Sequence, residues 1–233
     1  MRLLVTRPEP NATRTAQALR ARRHAVLVAP LLSAQNIDAD FAGPYGAVLM
    51  TSANAARAAA ADKRCAALRE LPAYVVGHRT ADAAREAGFA DVESADGALA
   101  DLVRLVAARF ASSSATLLYL AGQDRAGDLA GELAAHGIAV DTAVIYRAVP
   151  AQRLPAELID ALTDARLDGA LHYSRRSAAT LVELSRIAGV LNGLLKLRHY
   201  CLSSEVAGPL REAGTQDISI AARPDEARLL DLL

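Results

Sequence analysis

The sequence predicts an α/β protein with parallel sheets covered on both faces, assembled from two similar halves. Three observations carry that reading. Short apolar runs alternate along the chain with helical-period segments of about ten to fifteen residues, the pattern of parallel strands joined by crossover helices. The tetrapeptide Arg-Glu-Ala-Gly occurs twice, at 85–88 and 211–214, each time after an apolar run ending in "YVVG" or "YCLS". Longer blocks then pair off in order: "LLVTRPEPNATRTAQALRARRHAVLVAP" with "LLYLAGQDRAGDLAGELAAHGIAVDTAV", "AVLMTSANAARAAA" with "ALHYSRRSAATLVE", and "AYVVGHRTADAAREAGFADV" with "HYCLSSEVAGPLREAGTQDI". The repeated tetrapeptide is the visible edge of a duplicated α/β unit.

Taken in order, "LLVT" (3–6) reads as a buried strand. "NATRTAQALRAR" (11–22) has apolar residues at helical spacing behind an asparagine able to cap. "AVLVAPLL" (25–32) is strand-like. After a polar stretch come a strand at 47–50, a helix from about Ala53, a strand at 73–76, a helix from about Thr80 and a short strand near Val92. "GALADLVRLVAARF" (97–110) is amphipathic and "SSSA" (112–115) is a loop. The series restarts with a strand at 116–120, a helix over 124–137 closed by Gly137, and a long strand at 140–149. A helix near 155–165 follows, then a strand at 169–173, a helix from about Arg175, a strand at 200–202 and a helix from about Ser204. A strand at 218–220 and a helix over 224–233, opened by a proline, complete the chain.

The 233 residues suffice for one large α/β domain or two smaller ones. With 52% hydrophobic and 22% charged residues the chain has ample core, which excludes disordered and fibrous classes. Lys+Arg and Asp+Glu both number 26, so the charge balance lacks the basic excess that nucleic acid or an anionic membrane selects for, and neither is expected as a partner. Cys65 and Cys201 stand far apart in apolar surroundings with no zinc-ligand spacing, so both are expected to be reduced and buried. The opening "MRLLVTRPEP" has too few apolar residues for a signal-peptide core, and no run approaches the ~18 needed to span a membrane. A cytoplasmic protein is expected.

In open parallel sheets, ligands gather beyond the carboxyl ends of the strands, where helix N-termini present free backbone N–H groups. Those ends read "TRPEP" (6–10), "TSANA" (51–55), "GHRTA" (77–81), "AGQDR" (121–125), "YSRRSA" (173–178) and "SSEVA" (203–207). Hydroxyls, glycines and arginines at helix starts are suited to holding anions, and six such ends suggest two anion-binding rims with a cleft between them. The plain alternatives stand beside this: Ser and Thr at helix starts are ordinary N-caps, Gly77 and Gly122 permit tight turns, and Arg7, Arg57, Arg79, Arg125, Arg175 and Arg176 are solvated. Tyr146, closing "TAVIY", reads either as a packing residue or as a phenol offered to the cleft. No G-x-S-x-G, G-x-x-x-x-G-K-[ST] or G-x-G-x-x-G occurs, which removes the usual signatures of a serine hydrolase, a P-loop and a dinucleotide fold.

At these residues the chain resembles the uroporphyrinogen-III synthase family over nearly its full length. The resemblance rests on the opening strand running into Arg7-Pro8, "APLL" (29–32), "TSANA" (51–55), "VVGHRTADAAREAGF" (75–89), "LYLAGQDRAGDLAGELAAHGIAV" (118–140) and "VIYRAV" (144–149). It implies two similar three-layer α/β domains with parallel sheets, joined by a two-strand connection: residues 1–34 with 150–233, and 35–149. The two short connections and the lack of a long interdomain helix lead to the expectation that the domains move about the connecting strands. Family members close hydroxymethylbilane to uroporphyrinogen III, losing water and inverting the terminal pyrrole ring, with neither metal nor organic cofactor.

By the same resemblance Tyr146, on the "VxY" position, is the candidate general acid, while Ser52 and Thr80, on the "TS" and "GxxTA" positions, orient the substrate. Ser174 is the counterpart of Ser52 in the other half. Arg7, Ala53, Asn54, Gly77, Gly122, Arg125, Arg175, Ser203 and Ser204 complete the expected substrate-binding set. The C-terminal copy departs from the family pattern: Ser203-Ser204-Glu205-Val206-Ala207 replaces G-x-x-T-A, and Glu205 repels a carboxylate. Hydroxymethylbilane is the expected substrate, handed over by hydroxymethylbilane synthase, and a monomer is expected. The competing readings are a non-catalytic two-domain protein binding a small polyanionic ligand, and a regulatory module.

Overall fold

The computed structural model describes residues 1–125 and 127–233. The chain divides into two compact units, Met1–Ser33 with Val149–Leu233, and Ala34–Ala148. The first unit opens with β1 (Arg2–Val5), α1 (Asn11–Ala21) and β2 (Ala25–Val28), and β3 (Leu32–Asn36) leads out of it. The second holds β4 (Tyr45–Met50), α2 (Ala53–Ala61), a 3₁₀ segment (Lys63–Glu70), β5 (Ala73–Val75), α3 (His78–Glu86), β6 (Val92–Ser94), α4 (Leu99–Phe110), β7 (Thr116–Gly122) and α5 (Leu129–Ala134). The strand β8 (Val140–Pro150) returns the chain to the first unit, which continues with α6 (Ala156–Thr163), β9 (Gly169–His172), α7 (Arg175–Ile187), α8 (Leu191–Leu195), β10 (Arg198–Cys201), α9 (Ser204–Glu212), β11 (Ile218–Ile220) and α10 (Glu226–Leu230).

The strand orders are β11-β10-β9-β1-β2 in the first unit and β6-β5-β4-β7-β8-β3 in the second. Five strands of each run in the same spatial order: β9 matches β4 and β1 matches β7, the pairs that the repeated blocks indicate. Pairing is parallel from β11 through β2 and from β6 through β8. Beside β8, Ile37 N–H donates to the Ile145 carbonyl and Arg147 meets Gln35, so residue numbers fall on one strand as they rise on the other and β3 is antiparallel. The unit boundaries, at 33/34 and 148/149, fall inside β3 and β8, which makes this pair the two-strand connection.

Side-chain alternation builds a core on each face of each sheet. In the first unit Leu4 packs with Leu158, Leu181, Leu194 and Leu210, while its neighbours Leu3 and Val5 pack with Leu19, Tyr200 and Leu229. In the second, Val48, Met50 and Leu118 face one layer, and Leu49, Leu117 and Tyr119 the other. Helices therefore cover both faces, which gives three layers. Cys65 and Cys201 are buried free thiols, and burial pushes them up to about 11 and about 12. Among the described residues no helix is long and apolar enough to cross a membrane.

Several elements differ from the sequence expectation, among them the final helix, expected over 224–233 with Pro224 at its start but confined to α10 and capped by Asp225. Of the helix expected over 124–137, in which residue 126 lies outside the described residues, α5 is the part found, because the Asp128 carboxylate accepts the Gly131 N–H at 3.0 Å and fixes the start there. Asn11 does not cap α1; it is the first helical residue, and Glu9 instead accepts the Thr13 N–H at 3.0 Å. The apolar run 25–32 breaks after Val28, and the polar "SAQN" that follows is strand because β8 supplies its partner. The short α8 has no sequence signal of its own length.

Candidate active site

A cavity of about 340 Å³ opens at the carboxyl end of β7 in the second unit, where parallel sheets place their ligands. Thr51, Ser52, Tyr119, Gly122, Asp124, Arg125 and Tyr146 supply most of its lining. Tyr146 is placed there by an irregularity in the β7–β8 ladder: Ala121 pairs with Val144 but Gly122 with Tyr146, so one extra residue of β8 is absorbed just before the tyrosine. The Gln123 N–H donates to the Tyr146 carbonyl at 2.9 Å and pins the strand on the far side of the shift.

Gly122 admits the ring. A Cβ on Gly122 would stand 2.6 Å from Tyr146 Cζ and 2.7 Å from its hydroxyl, so no larger residue fits without moving the phenol. Burial holds the Tyr146 hydroxyl above the ordinary tyrosine range; a hydrogen bond with Ser52 works against that, and Tyr119 and Asp124 add to it. Behind it, Thr51 Oγ1 and the Tyr119 hydroxyl lie 2.8 Å apart. The result is a phenol that keeps its proton at neutral pH, with Ser52 beside it.

The family model described as uroporphyrinogen-III synthase HemD matches residues 13–231. The chain belongs to the uroporphyrinogen-III synthase family. That family works in tetrapyrrole and heme biosynthesis. Among solved structures, the uroporphyrinogen-III synthetase from Helicobacter pylori is similar with a TM-score of 0.65 at 19% identity, covering 100% of this chain and 98% of that one, which supports the shared fold. A mutant uroporphyrinogen III synthase from Thermus thermophilus gives 0.49 at 15% identity over 100% and 97%, a score too low to add to that. No curated protein sequence matches the chain.

Of the residues expected in this synthase-family site, Ser52, Gly122, Arg125 and Tyr146 meet at the cavity. Ala53 and Asn54 sit one step back in the first turn of α2, where Ser52 caps the helix by accepting the Asn54 N–H at 3.2 Å. The Asn54 Oδ1 is engaged by Arg57 at 3.2 Å. Gly77 precedes α3 with no side-chain cap, and a Cβ there would meet open space, so sterics do not demand glycine. Thr80 is only 5% exposed on α3 and is not among the cavity residues.

The first unit treats its expected residues differently. Arg7 is not a free cation: its Nη1 donates to Glu226 Oε1 at 2.8 Å and to Thr15 at 3.0 Å, and its guanidinium lies 3.9 Å from the Tyr173 ring centroid. Thr15 and Tyr173 donate to the same Glu226 oxygen at 2.6 and 3.0 Å. Burial pushes Tyr173 up to about 12. Burial also acts to raise Glu226, but Thr15, Arg7 and Tyr173 together hold it below its ordinary value. Ser174 and Ser203 are N-caps, accepting from Ser177 at 3.1 Å and Val206 at 3.4 Å. Ser204 accepts from Arg211 at 3.0 Å, and Arg175 is exposed in the first turn of α7.

Sequence reasoning missed Thr51, Tyr119 and Asp124. The signals were available: Thr51 opens "TSANA", Asp124 lies inside "AGQDR", and Tyr119 is a tyrosine in an otherwise aliphatic strand. It also missed Glu226, whose partner Arg7 lies at the other end of the chain. Among the described residues, no group of three His, Cys, Asp or Glu converges as a metal-ligand set.

Proposed function

We propose that the protein cyclises hydroxymethylbilane to uroporphyrinogen III, a lyase reaction that loses water and inverts the terminal pyrrole ring, and that the cavity of the second unit is where the proton chemistry occurs. The observation that carries this reading is the Tyr146 hydroxyl, seated on Gly122 and beside Ser52 at the strand-end cavity.

Tyr146 donates its proton to the departing hydroxyl, which leaves as water, and the bilane becomes an electrophilic azafulvene-type cation. The substituted carbon of the terminal ring attacks the methylene to form a spiro intermediate. That intermediate fragments and recloses with the ring inverted. Burial keeps Tyr146 protonated, so the proton is available to the leaving oxygen. Positioning is the larger task, since the free bilane closes unaided to the uninverted isomer. Ser52 orients the hydroxyl, and Arg125 offers a guanidinium to one of the substrate's carboxylates. Ser174, Arg175, Ser203, Ser204 and the uncapped helix start at Gly77 are further candidate carboxylate sites. The reading invokes neither metal nor organic cofactor.

Tyr146→Phe tests it. General acids contribute roughly 10²–10⁴-fold, so kcat for type III product falls by at least about 10²-fold while the affinity for the bilane, measured by equilibrium binding, changes little. Wild-type turnover in Tyr146→Phe would remove the tyrosine from the chemistry.

A further inference from the structure

The cavity holds a group for which the reaction above has given no task. Asp124 lines it together with Tyr146, Ser52, Tyr119 and Arg125. A carboxylate is costly in a site for a polyanion, because it repels the substrate's own acid groups. Its position is nonetheless tied to Tyr146 on two counts. The preceding Gln123 donates its N–H to the Tyr146 carbonyl, and Gly122 lies under the tyrosine ring, so the chain enters Asp124 from backbone held against the acid itself. The Asp124 charge is also felt at the Tyr146 hydroxyl, where it helps hold the proton on.

We infer that Asp124 is the general base that removes the carbon-bound proton in the final ring closure, and that its charge stabilises the cation preceding that step. This rests on the synthase reading above. The protons balance. Tyr146 gives one proton to the leaving hydroxyl and becomes a phenolate, and the bilane carries a positive charge through the rearrangement, which moves no proton. In the last step the unsubstituted carbon of the inverted ring bonds to the methylene while still bearing its hydrogen. That C–H bond breaks, its electron pair restores the pyrrole, and the proton passes to the Asp124 carboxylate. From there it moves to the Tyr146 phenolate, because a phenolate is a stronger base than a carboxylate. Both groups are reset, no oxidant is needed, and one water is lost overall. Arg125, the cation among the described lining residues, and the hydroxyls of Thr51, Ser52 and Tyr119 are the other polar side chains of the cavity.

Asp124→Asn in the full chain tests this with two readouts. With the bilane supplied from porphobilinogen by hydroxymethylbilane synthase, kcat is expected to fall about 10²-fold, with KM unchanged or lower because a repulsive charge is gone. In an absorbance titration, taking each protein minus its Tyr146→Phe counterpart, the Tyr146 midpoint should move to lower pH. Asp124→Glu should recover part of the lost kcat. A kcat within about threefold of wild type, with type III product still formed, overturns the inference and leaves the synthase reading intact. An unmoved Tyr146 titration also overturns it. Wild-type protein giving only type I product would overturn the inference and the reading together.

Discussion

Two glycines at strand ends look alike in the sequence and behave differently in the structure. Gly122 is required by contact: its Cα hydrogens face a phenol that a methyl group would strike at 2.6 Å. Gly77 faces open space in an extended conformation that any residue adopts. Gly122→Ala should therefore displace the Tyr146 ring and lower kcat at least tenfold, whereas Gly77→Ala should leave kcat and the unfolding midpoint nearly unchanged. Steady-state kinetics and thermal melts of the two variants check this, and equal losses in both would contradict it. The arginines teach the same lesson. Arg7 and Arg125 both follow strand ends, but Arg7 is engaged by Glu226 while Arg125 lines the cavity. A motif locates a residue on the chain and says nothing of a partner contributed from 219 positions away.

Within the first unit, β9 and β10 carry a buried histidine pair whose protonation follows from geometry. His199 Nε2 lies 3.0 Å from the Leu194 carbonyl and must donate to it, which leaves Nδ1 as an acceptor. His172 Nε2, 2.9 Å from that Nδ1, therefore carries a proton, and His172 Nδ1 is a buried acceptor with no partner among the described residues. Burial lowers the pKa of both rings; the neighbouring His199 lowers His172 further, while the Leu194 carbonyl and Asp217 partly offset the shift of His199. A histidine neutral in the fold but free to charge when unfolded stabilises fully above its unfolded value of about 6.5 and loses that contribution as pH falls below it. For each ring that stays neutral the expected loss is about 1.4 kcal/mol in total between pH 7.5 and 5.5, steepening towards about 1.4 kcal/mol per pH unit further below 6.5. Asp168, held to about 2 by Arg2, titrates well below this window and does not confuse it. Urea unfolding between pH 7.5 and 5.5 should show that decline, and His172→Gln should flatten it whatever its effect at pH 7.5. An unchanged slope in the variant would contradict the assignment. Neither ring was legible as a pair in the sequence, because their contact depends on the register of adjacent strands.

At the scale of the whole molecule, most of the fold was readable because duplication writes it twice. The repeated blocks fixed which strands correspond, and the matching orders β11-β10-β9-β1-β2 and β6-β5-β4-β7-β8 follow from them. What escaped were elements made by partners rather than by local pattern: β3, exposed over four of its five residues, exists because β8 lies beside it, and α5 is cut short by its own cap. The candidate site was half legible for the same reason. Tyr146, Gly122 and Ser52 sit in recognisable segments, whereas Asp124 and Tyr119 gain meaning only when β7 and β8 bring them to one cavity.

The proposed activity, ring closure directed to the inverted isomer, can be read from the product alone. Hydroxymethylbilane synthase acting on porphobilinogen would supply the bilane, and the oxidised products would be resolved by isomer with and without the protein. Type III porphyrin rising in proportion to added protein is the predicted result. Type I porphyrin alone, at every protein concentration, would contradict the account.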